Sequence, residues 1–214
     1  SRGLGDVYKR QIYSEYDYNI EITGVQTDSR FVKPGNLFLP IRGKNFEGDE
    51  FFIDAITKGA VAIVYDKAIH NLTIPVIIVD NLEKELFRLI DLIYEKPYNE
   101  LTMIGVTGTD GKTSVSTLTS YLLNHLSRCA NIGTNGIIYD KEIIDNVFTT
   151  PILTQNYSLL REFSNLGISY VSMEVSSQGI ANKRIEGILY DYAIFTNLSH
   201  EHLDTHKTLC LIHI

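Results

Sequence analysis

The residues with the clearest chemical potential form a short loop rich in glycine and hydroxyl groups. Residues 106–114 read Val-Thr-Gly-Thr-Asp-Gly-Lys-Thr-Ser, between a segment that predicts a strand and one that predicts a helix. Glycines let the backbone approach phosphate oxygens, and the first N–H groups of a helix supply positive potential. A lysine here reaches the β- and γ-phosphates, and the next hydroxyl can bind Mg²⁺. The residues predicted to bind nucleotide are Gly108, Thr109, Asp110, Gly111, Lys112, Thr113 and Ser114.

This phosphate loop, residues 106–114, departs at one position from the general pattern G-x-x-x-x-G-K-[ST]. The pattern requires glycine where Val106 stands, and Gly108 lies inside the loop instead. An ordinary glycine-rich turn would explain the glycines, but it would not explain Lys112 and Thr113 in the correct register. The sequence therefore predicts a nucleotide site.

The segments around the phosphate loop predict two consecutive α/β domains, because strands separated by helices are typical of parallel sheets. The predicted strands are residues 36–40, 60–64, 76–79, 101–106, 169–175 and 192–196. The predicted helices are residues 49–58, 82–94, 112–126 and 153–166. Residues 96–99 contain a proline that ends the preceding helix, and we expect a linker there. The expected domains are residues 12–99 and 100–208.

Composition and charge exclude several classes of function. Hydrophobic residues make up 44% of the 214-residue chain and charged residues 21%, as in a globular protein. The net charge of −7 would repel a polyanion, so we expect no nucleic-acid partner. No apolar run approaches the roughly 20 residues that span a bilayer, and no secretory signal is recognisable. Cys129 and Cys210 form no C-x-x-C pair. We therefore expect a cytoplasmic monomer with no disulfide framework.

The two ends of the chain are related to each other as nucleotide sequence. Residues 6–11 can be encoded by GAT GTG TAT AAG AGA CAG, whose reverse complement encodes Leu-Ser-Leu-Ile-His-Ile. Residues 209–214 read Leu-Cys-Leu-Ile-His-Ile. The alternative is a natural N-terminal strand and a natural apolar tail. We expect residues 1–11 and 209–214 to be adapter-derived and the gene to continue past Thr208.

The phosphate loop resembles the ATP loop of the Mur ligases, which share the displaced glycine and usually have Asn where Asp110 stands. Three further segments resemble this family in the same order. They are Thr-Thr-Pro at 149–151, Met-Glu-Val-Ser-Ser at 173–177, and residues 195–204, which contain Phe-Thr-Asn-Leu and His-Leu-Asp. Upstream, Thr-Asp-Ser-Arg at 27–30 and Pro-Gly-Asn-Leu-Phe at 34–38 look like the uridine-binding domain of the tripeptide-forming branch. The resemblance covers about residues 20–208.

The resemblance implies an N-terminal uridine-binding α/β domain followed by a truncated P-loop central domain with a mostly parallel sheet. It implies an ATP-dependent, ADP-forming ligase that adds the third amino acid to UDP-N-acetylmuramoyl-L-Ala-D-Glu. In this family the γ-phosphate of ATP passes to the substrate carboxylate, and the new amino group attacks the resulting acyl phosphate. The implied cofactors are ATP and Mg²⁺, and the implied partners are the UDP-linked dipeptide and a free amino acid.

By this likeness the C-terminal domain is missing, so we expect the chain alone to be inactive. The identity of the amino acid stays open between lysine and diaminopimelate, because the missing domain largely makes that choice. The lysine that the family carbamylates is expected after Thr208.

By the same likeness, Lys112, Glu174 and His202 are the catalytic residues, and Thr113, Glu174 and His202 bind the metal. Glu174 ends a predicted strand, where ligands collect in open α/β sheets, and a carboxylate suits Mg²⁺. The alternative for Glu174 is a solvated carboxylate at a strand end. His200, His202 and His206 could also indicate zinc, but Cys210 and His213 lie in the expected adapter-derived end, and no other nearby Cys or His completes a tetrahedral site. His70 and His125 are more simply surface residues.

The family positions that hold the UDP-linked substrate correspond to nine residues. They are Ser29, Thr149, Thr150, Ser176 and Arg184, with Lys44, Asn45, Phe46 and Asn182 matched by position. The donors of Arg184 suit an anionic group. Each hydroxyl could instead form a turn or a helix cap. Phe148 stands where the family often has Asn, which puts that substrate contact in doubt.

Two alternatives to this function remain at the level of sequence. Another Mur-type ligase, such as a folylpolyglutamate or cyanophycin synthetase, would share the phosphate loop but not the Asp-Ser-Arg segment at residues 28–30. A regulatory nucleotide-binding switch would have no use for substrate residues such as Ser176 and Arg184.

Overall fold

The computed structural model describes residues 20–40, 51–67, 69 and 72–199. The chain divides into two compact units, Ser1–Glu95 and Lys96–Ile214. Several predicted features lie outside the described residues. These are the adapter-derived ends, Lys44, Asn45, Phe46, His70, His200, His202, His206 and the segment that contains Thr208.

The first unit is built on a four-stranded parallel sheet in the order β1-β2-β3-β4. The strands are β1 (Gly24–Gln26), β2 (Asn36–Phe38), β3 (Ala62–Tyr65) and β4 (Val76–Ile78). The helices are α1 (Phe52–Thr57), α2 (Leu82–Tyr94) and a 3-10 turn at Ser29–Phe31. The sheet packs on an aromatic cluster in which Phe52 lies edge-on to Phe38 and Tyr65, with ring centroids 6.4 and 5.1 Å away.

Local sequence explains the bounds of α2. The Asn81 side chain caps its start by accepting a hydrogen bond from the Lys84 N–H at 2.9 Å. The helix ends at Glu95, which has a left-handed backbone with φ 56°. At its last turn, the buried Tyr94 hydroxyl accepts a hydrogen bond from the Val25 N–H at 3.2 Å. This bond ties the helix to β1.

The second unit is built on a six-stranded sheet in the order β10-β5-β9-β6-β7-β8. The strands are β5 (Thr102–Thr107), β6 (Cys129–Gly133), β7 (Gly136–Tyr139), β8 (Glu142–Ile144), β9 (Tyr170–Glu174) and β10 (Tyr192–Phe195). The helices are α3 (Lys112–Leu123), α4 (Leu153–Asn165), α5 (Ser177–Ala181) and a 3-10 turn at Pro97–Glu100. The first four strands in the sheet order are parallel, and β7 and β8 continue the sheet antiparallel.

The chain connections place a crevice between β5 and β9. From β5 the chain passes beyond β9 to reach β6, whereas from β9 it passes over β5 to reach β10. The loops after these two neighbouring parallel strands therefore leave in opposite directions. In open α/β sheets, ligands bind at such a switch point, outside the carboxyl ends of the strands.

The structure confirms the predicted α/β class and the mostly parallel second sheet. It adds elements that the sequence pattern did not predict: β1, the β6-β7-β8 meander and α5. Residues 96–99, interpreted as a linker, belong largely to the 3-10 turn at Pro97–Glu100. Tyr98 is 6% exposed, and its ring packs edge-on to Tyr157, so apolar burial fixes this segment on the second unit. The roles of domains 12–99 and 100–208 stay a prediction.

Candidate functional site

The phosphate loop joins β5 to α3, and its shape depends on two glycines. Gly108 has φ +134°, and a Cβ there would lie 2.2 Å from Thr196 Oγ1 and 2.8 Å from the Asn197 carbonyl oxygen. Gly111 has φ +80°, but a Cβ there would meet nothing within 4 Å. Position 108 therefore requires glycine for both space and conformation, and position 111 for conformation only.

The Lys112 side chain folds back over the phosphate loop. Its Nζ donates hydrogen bonds to the carbonyl oxygens of Gly108 and Thr109, both at 2.7 Å. The ammonium charge therefore lies at the centre of the loop. Asp110 and Ser114 are exposed at the loop's tip and on the first turn of α3, respectively.

The tip of the phosphate loop is held by the segment that follows β10. Thr196 Oγ1 donates to the Asp110 carbonyl at 2.6 Å, and Asn197 Nδ2 donates to the same oxygen at 3.1 Å. The Asn197 Oδ1 accepts from the Asp110 N–H at 2.9 Å. We assigned no role to Thr196 and Asn197 from the sequence. Thr196 ends the predicted strand 192–196 and Asn197 follows it, within the segment that resembles the Mur ligases, and this position was the available signal.

Glu174 ends β9 with a side chain that is 1% exposed. Its Oε2 accepts a hydrogen bond from Thr113 Oγ1 at 2.9 Å, which links it to the phosphate loop. Its Oε1 accepts from the Thr134 N–H at 2.8 Å, and Thr134 Oγ1 donates to Oε2 at 3.3 Å. A Cβ on Gly133 would lie 2.0 Å from Oε1, so the carboxylate packs directly on the backbone of β6. Glu174 is therefore a buried, oriented carboxylate rather than a solvated one.

Thr134 is a site residue that the sequence reading missed. It lies with Asn135 in the two-residue turn between β6 and β7, and Gly136 follows with φ +104°. An Asn-Gly pair is a strong hairpin signal that could have located this turn. Thr134 Oγ1 is also 3.1 Å from Thr149 Oγ1. Thr134 thus connects Glu174 to the Thr-Thr-Pro segment.

Thr150 is fully buried, and its hydroxyl is occupied within the protein. Its Oγ1 donates to the Glu174 carbonyl at 2.9 Å and accepts from the Ser176 N–H at 3.0 Å. It also lies 3.1 Å from Ser176 Oγ, which caps α5 by accepting from the Gly179 N–H at 3.0 Å. The Thr150 side chain therefore anchors its segment to the end of β9. Thr149 and Ser176 are only half-buried.

Arg184 lies against the same segment. Its Nη1 donates to the Thr150 carbonyl at 3.0 Å, and its guanidinium carbon lies 4.1 Å from the centroid of the Phe148 ring. Asn156 Nδ2 donates to the backbone carbonyls of Arg184 at 2.8 Å and Pro151 at 3.0 Å. Partial burial lowers the pKa of Arg184, but a guanidinium remains charged in proteins. The cationic N–H donors of Arg184 are therefore held against residues 148–151, which precede α4.

The structure thus brings together Thr113, Glu174, Thr149, Thr150, Ser176 and Arg184 in the second unit. Asn182 lies at the end of α5, where its Nδ2 donates to the Gln178 carbonyl at 2.8 Å. Ser29 lies in the first unit at the start of the 3-10 turn and is 2% exposed. Its carbonyl accepts a hydrogen bond from Lys58 Nζ at 3.1 Å. His125 is exposed near the end of α3, as predicted.

Thr113 and Glu174 supply the oxygen atoms that could contact a cation. Within the described ranges, no group of three or more His, Cys, Asp or Glu residues could hold a metal ion. Mg²⁺ usually combines one or two protein carboxylates with substrate phosphates, so a Thr113–Glu174 pair beside a phosphate loop fits this ion. No helix among the described residues is long and apolar enough to cross a membrane.

Comparison with known proteins identifies relatives along both units. The Mur ligase middle domain profile matches residues 106–212, and the Mur ligase family catalytic domain profile matches residues 21–90. A UDP-N-acetylmuramoyl-L-alanyl-D-glutamate–2,6-diaminopimelate ligase of Haemophilus influenzae (strain PittGG) is 37% identical over 206 residues, 91% of this chain and 42% of that protein. UDP-N-acetylmuramyl-tripeptide synthetase 2 of Oceanobacillus iheyensis is 41% identical over 194 residues, 88% of this chain and 39% of that protein. The chain therefore spans about two fifths of the length of these relatives.

Solved structures agree on the fold. A UDP-N-acetylmuramoyl-L-alanyl-D-glutamate–2,6-diaminopimelate ligase structure superposes with a TM-score of 0.73 at 24% identity, over 99% of this chain and 43% of that one. The MurF ligase from Thermotoga maritima, solved in complex with ADP, gives a TM-score of 0.62 at 23% identity, over 91% of this chain and 41% of that one. The middle-domain match alone spans half of the sequence, and the second profile matches a separate stretch. The chain belongs to the Mur ligase family.

Proposed function

We propose that this chain is part of an ATP-dependent, ADP-forming ligase of peptidoglycan precursor synthesis. The ligase adds the third amino acid to UDP-N-acetylmuramoyl-L-Ala-D-Glu through an acyl phosphate. The names of the relatives from Haemophilus influenzae and Oceanobacillus iheyensis support this branch of the family. We also propose a cytoplasmic location, because the reaction consumes ATP.

One observation carries this proposal: the buried Glu174 contacts both halves of the site. On one side its carboxylate accepts from Thr113 of the phosphate loop. On the other side it contacts Thr134, which reaches Thr149, and its backbone carbonyl binds Thr150. A ligase must bring a nucleotide phosphate to a second substrate, and this arrangement supplies one fixed carboxylate between a phosphate loop and a polar substrate segment.

The proposed reaction assigns a distinct task to each part of the site. The substrate carboxylate oxygen forms a bond to the γ-phosphorus while the bond to ADP breaks. The amine nitrogen of the added residue then attacks the acyl carbon, inorganic phosphate leaves, and the amine loses a proton. Lys112 and the loop N–H groups stabilise phosphate charge, and Arg184 binds an anionic group of the UDP-linked substrate. Positioning and charge neutralisation are the main contributions of these residues.

Thr113 and Glu174 are the residues proposed to hold Mg²⁺, together with His202, which lies outside the described residues. Two neighbouring oxygen donors at the end of the phosphate loop suit this hard cation. When bound, Mg²⁺ would neutralise negative charge on the phosphates. The proposed substrate contacts are Ser29, Lys44, Asn45, Phe46, Thr149, Thr150, Ser176, Asn182 and Arg184. For Thr150 we propose contact through the backbone, because its side chain is buried.

A thermal-shift experiment on this chain tests the function against its alternatives. We expect UDP-N-acetylmuramoyl-dipeptide and ATP with Mg²⁺ each to raise the unfolding temperature, and GTP to have no effect. A response to GTP alone would favour a nucleotide switch. A response to ATP without any response to the UDP-linked dipeptide would favour another Mur-type ligase.

Ligation itself is tested on this chain and, in parallel, on an intact relative. With ATP, Mg²⁺ and the UDP-linked dipeptide, lysine and diaminopimelate are offered separately and the tripeptide is detected by mass. We expect this chain alone to form none, because it spans about two fifths of the length of its relatives, and the reaction requires the nucleophile to be held about 3 to 3.5 Å from the acyl carbon. Tripeptide formation by this chain at the rate of an intact relative would refute that expectation.

In the intact protein, Lys112→Ala is expected to abolish ligation while the fold is retained, because the Lys112 ammonium donates to carbonyls of the phosphate loop itself. Lys141→Ala, at the exposed turn between β7 and β8, is the matched control and should retain activity.

Glu174→Gln should reduce Mg²⁺-dependent turnover far more than binding of the UDP-linked dipeptide. Equal losses of turnover and binding would mean that Glu174 contacts the UDP-linked substrate and does not hold the metal ion.

A further inference from the structure

Phe148 occupies an unusual place for a large apolar side chain. It is 41% exposed and lies on the segment that leads into the anchored Thr150. Its ring contacts the Arg184 guanidinium, with 4.1 Å between the guanidinium carbon and the ring centroid. Such a distance places the cation within range of the negative face of the ring. The exposed ring therefore has a specific partner.

Arg184 is restrained at three points. Nη1 donates to the Thr150 carbonyl at 3.0 Å, the Phe148 ring covers the guanidinium, and Asn156 Nδ2 binds the backbone carbonyl of Arg184 at 2.8 Å. The hydrogen bond to the Thr150 carbonyl uses one N–H donor of the guanidinium. A guanidinium carries five such donors.

The charge of Arg184 has no acidic partner among the residues that the structure describes. Among residues 20–40, 51–67, 69 and 72–199, no carboxylate forms an ion pair with Arg184. Arg184 is half-buried, and this partial burial lowers its pKa. A half-buried guanidinium held by Thr150 and Phe148 suits a carboxylate, which accepts from several of its N–H donors at once.

We propose that Phe148 is a positioning residue, which fixes the plane of the Arg184 guanidinium for a carboxylate of the UDP-linked peptide. This inference rests on the proposed function, because that function supplies the anionic substrate. Phe148 acts through Arg184 and makes no charge contact of its own. Without the ring, the guanidinium keeps its hydrogen bond to Thr150 but gains rotational freedom, and the carboxylate must then order it on binding.

The test measures binding by calorimetry on this chain and three variants: Phe148→Leu, Phe148→Tyr and Val147→Ala. Phe148→Leu should weaken binding of UDP-N-acetylmuramoyl-dipeptide about two- to fivefold, the range for an exposed cation–π contact. Phe148→Tyr keeps an aromatic face and should bind the dipeptide with the affinity of the parent chain. Val147 is 82% exposed and adjacent, so Val147→Ala controls for a change in the segment. Binding of UDP alone, which lacks the peptide carboxylates, should not change.

A second measurement needs no ligand. The Arg184 Nε–Hε signal in a ¹H–¹⁵N spectrum, assigned by its loss in Arg184→Lys, should carry a ring-current shift. Phe148→Leu should move this signal to the ordinary arginine position, while Val147→Ala should leave it in place. An unmoved signal in Phe148→Leu would overturn the positioning role whatever the ligand.

The two measurements separate the two proposals. If the parent chain binds neither UDP nor the UDP-linked dipeptide, the proposed function fails, and the spectrum still decides whether Phe148 orients Arg184. If the parent binds the dipeptide and Phe148→Leu binds it equally well, the positioning role fails alone. Equal weakening for UDP and the dipeptide would also overturn it, since a general disturbance of the segment would then explain the loss.

Discussion

The phosphate loop and the 148–151 segment both lie beside Glu174, yet they keep their shapes by different means. The phosphate loop follows the conformations of Gly108 and Gly111 and the fold-back of Lys112 onto loop carbonyls. The 148–151 segment is held by side chains from elsewhere in the chain, including Asn156 and Arg184. One is specified mainly by consecutive residues, and the other by cross-links.

This difference determines what a single sequence can reveal. A loop shaped by its own glycines leaves a contiguous motif, and residues 106–114 were recognisable for that reason. A segment shaped by remote partners leaves isolated residues, each of which also fits an ordinary turn or cap. Mutations at matched pairs of positions can test how far this contrast holds.

The largest effect is expected in the phosphate loop. Gly108→Ala introduces a Cβ against Thr196 and Asn197 at φ +134°, and we expect ATP to bind on the order of 100-fold more weakly. Gly111→Ala at φ +80° meets no atom within 4 Å, so it should cost about 1 to 2 kcal/mol of conformational strain without a clash. Calorimetric titration with ATP and Mg²⁺ compares the two. Equal losses would mean that conformation alone, and not space, specifies the loop.

Mutations in the 148–151 segment should lower the free energy of unfolding. Thr150→Val keeps the shape but leaves the Ser176 N–H and the buried Glu174 carbonyl without their partner, which should cost about 1 to 3 kcal/mol. Thr149→Val removes a half-buried hydroxyl and should cost less than about 0.5 kcal/mol. Urea unfolding followed by circular dichroism measures both. If Thr150→Val left the free energy of unfolding unchanged, the hydroxyl of Thr150 would have no anchoring role.

The smallest effect is expected at the 3-10 turn of the first unit, which is specified by neighbouring residues. Asp28 caps the turn and binds Arg30 with two oxygens, at 2.6 Å for the shortest contact. The hydrogen bond from the Arg30 side chain holds the pKa of Asp28 below its ordinary value of 3.8. A lowered carboxyl pKa stabilises the fold above the unfolded pKa, and this stability is lost as the pH falls through the folded value.

Asp28→Asn should therefore lower the free energy of unfolding by about 0.5 kcal/mol at neutral pH, because the pair is screened by solvent. The difference from the parent should vanish as the pH falls below 3.8 and through the folded pKa. Urea unfolding at a series of pH values measures it, with Glu21→Gln at an exposed position as the control. A difference that persists at low pH would mean that Asn fails as a cap.

Much of the fold was predictable because its elements carry strong local patterns. The predicted helix 82–94 coincides with α2, since an Asn cap and an apolar stripe mark it. The β6-β7 hairpin was missed because no strand was predicted between residues 126 and 153, although the turn signal Asn135-Gly136 was present. The five-residue α5 is too short for a periodic pattern.

The structural surroundings of the candidate site residues were only partly predictable. Residue types and motif order selected Thr150 and Glu174, but not their burial, which depends on the long-range contact between β9 and the 148–151 segment. The contact between Phe148 and Arg184 joins residues 36 positions apart in sequence and follows from no local rule. The relation of Thr196 and Asn197 to Asp110 likewise depends on β10 lying beside β5.

The fold-back of Lys112 has a consequence for the rate and heat of nucleotide binding. Its ammonium group already donates to two carbonyl oxygens. When a phosphate binds, hydrogen bonds from Lys112 to the phosphate replace these hydrogen bonds to the loop carbonyls. The heat released on binding is then a difference between similar bonds, and the side chain has little motion left to lose. The carbonyl dipoles that hold the lysine also repel the phosphate until the lysine turns toward it. Association should therefore be slower than a diffusional encounter with a freely extended lysine would allow.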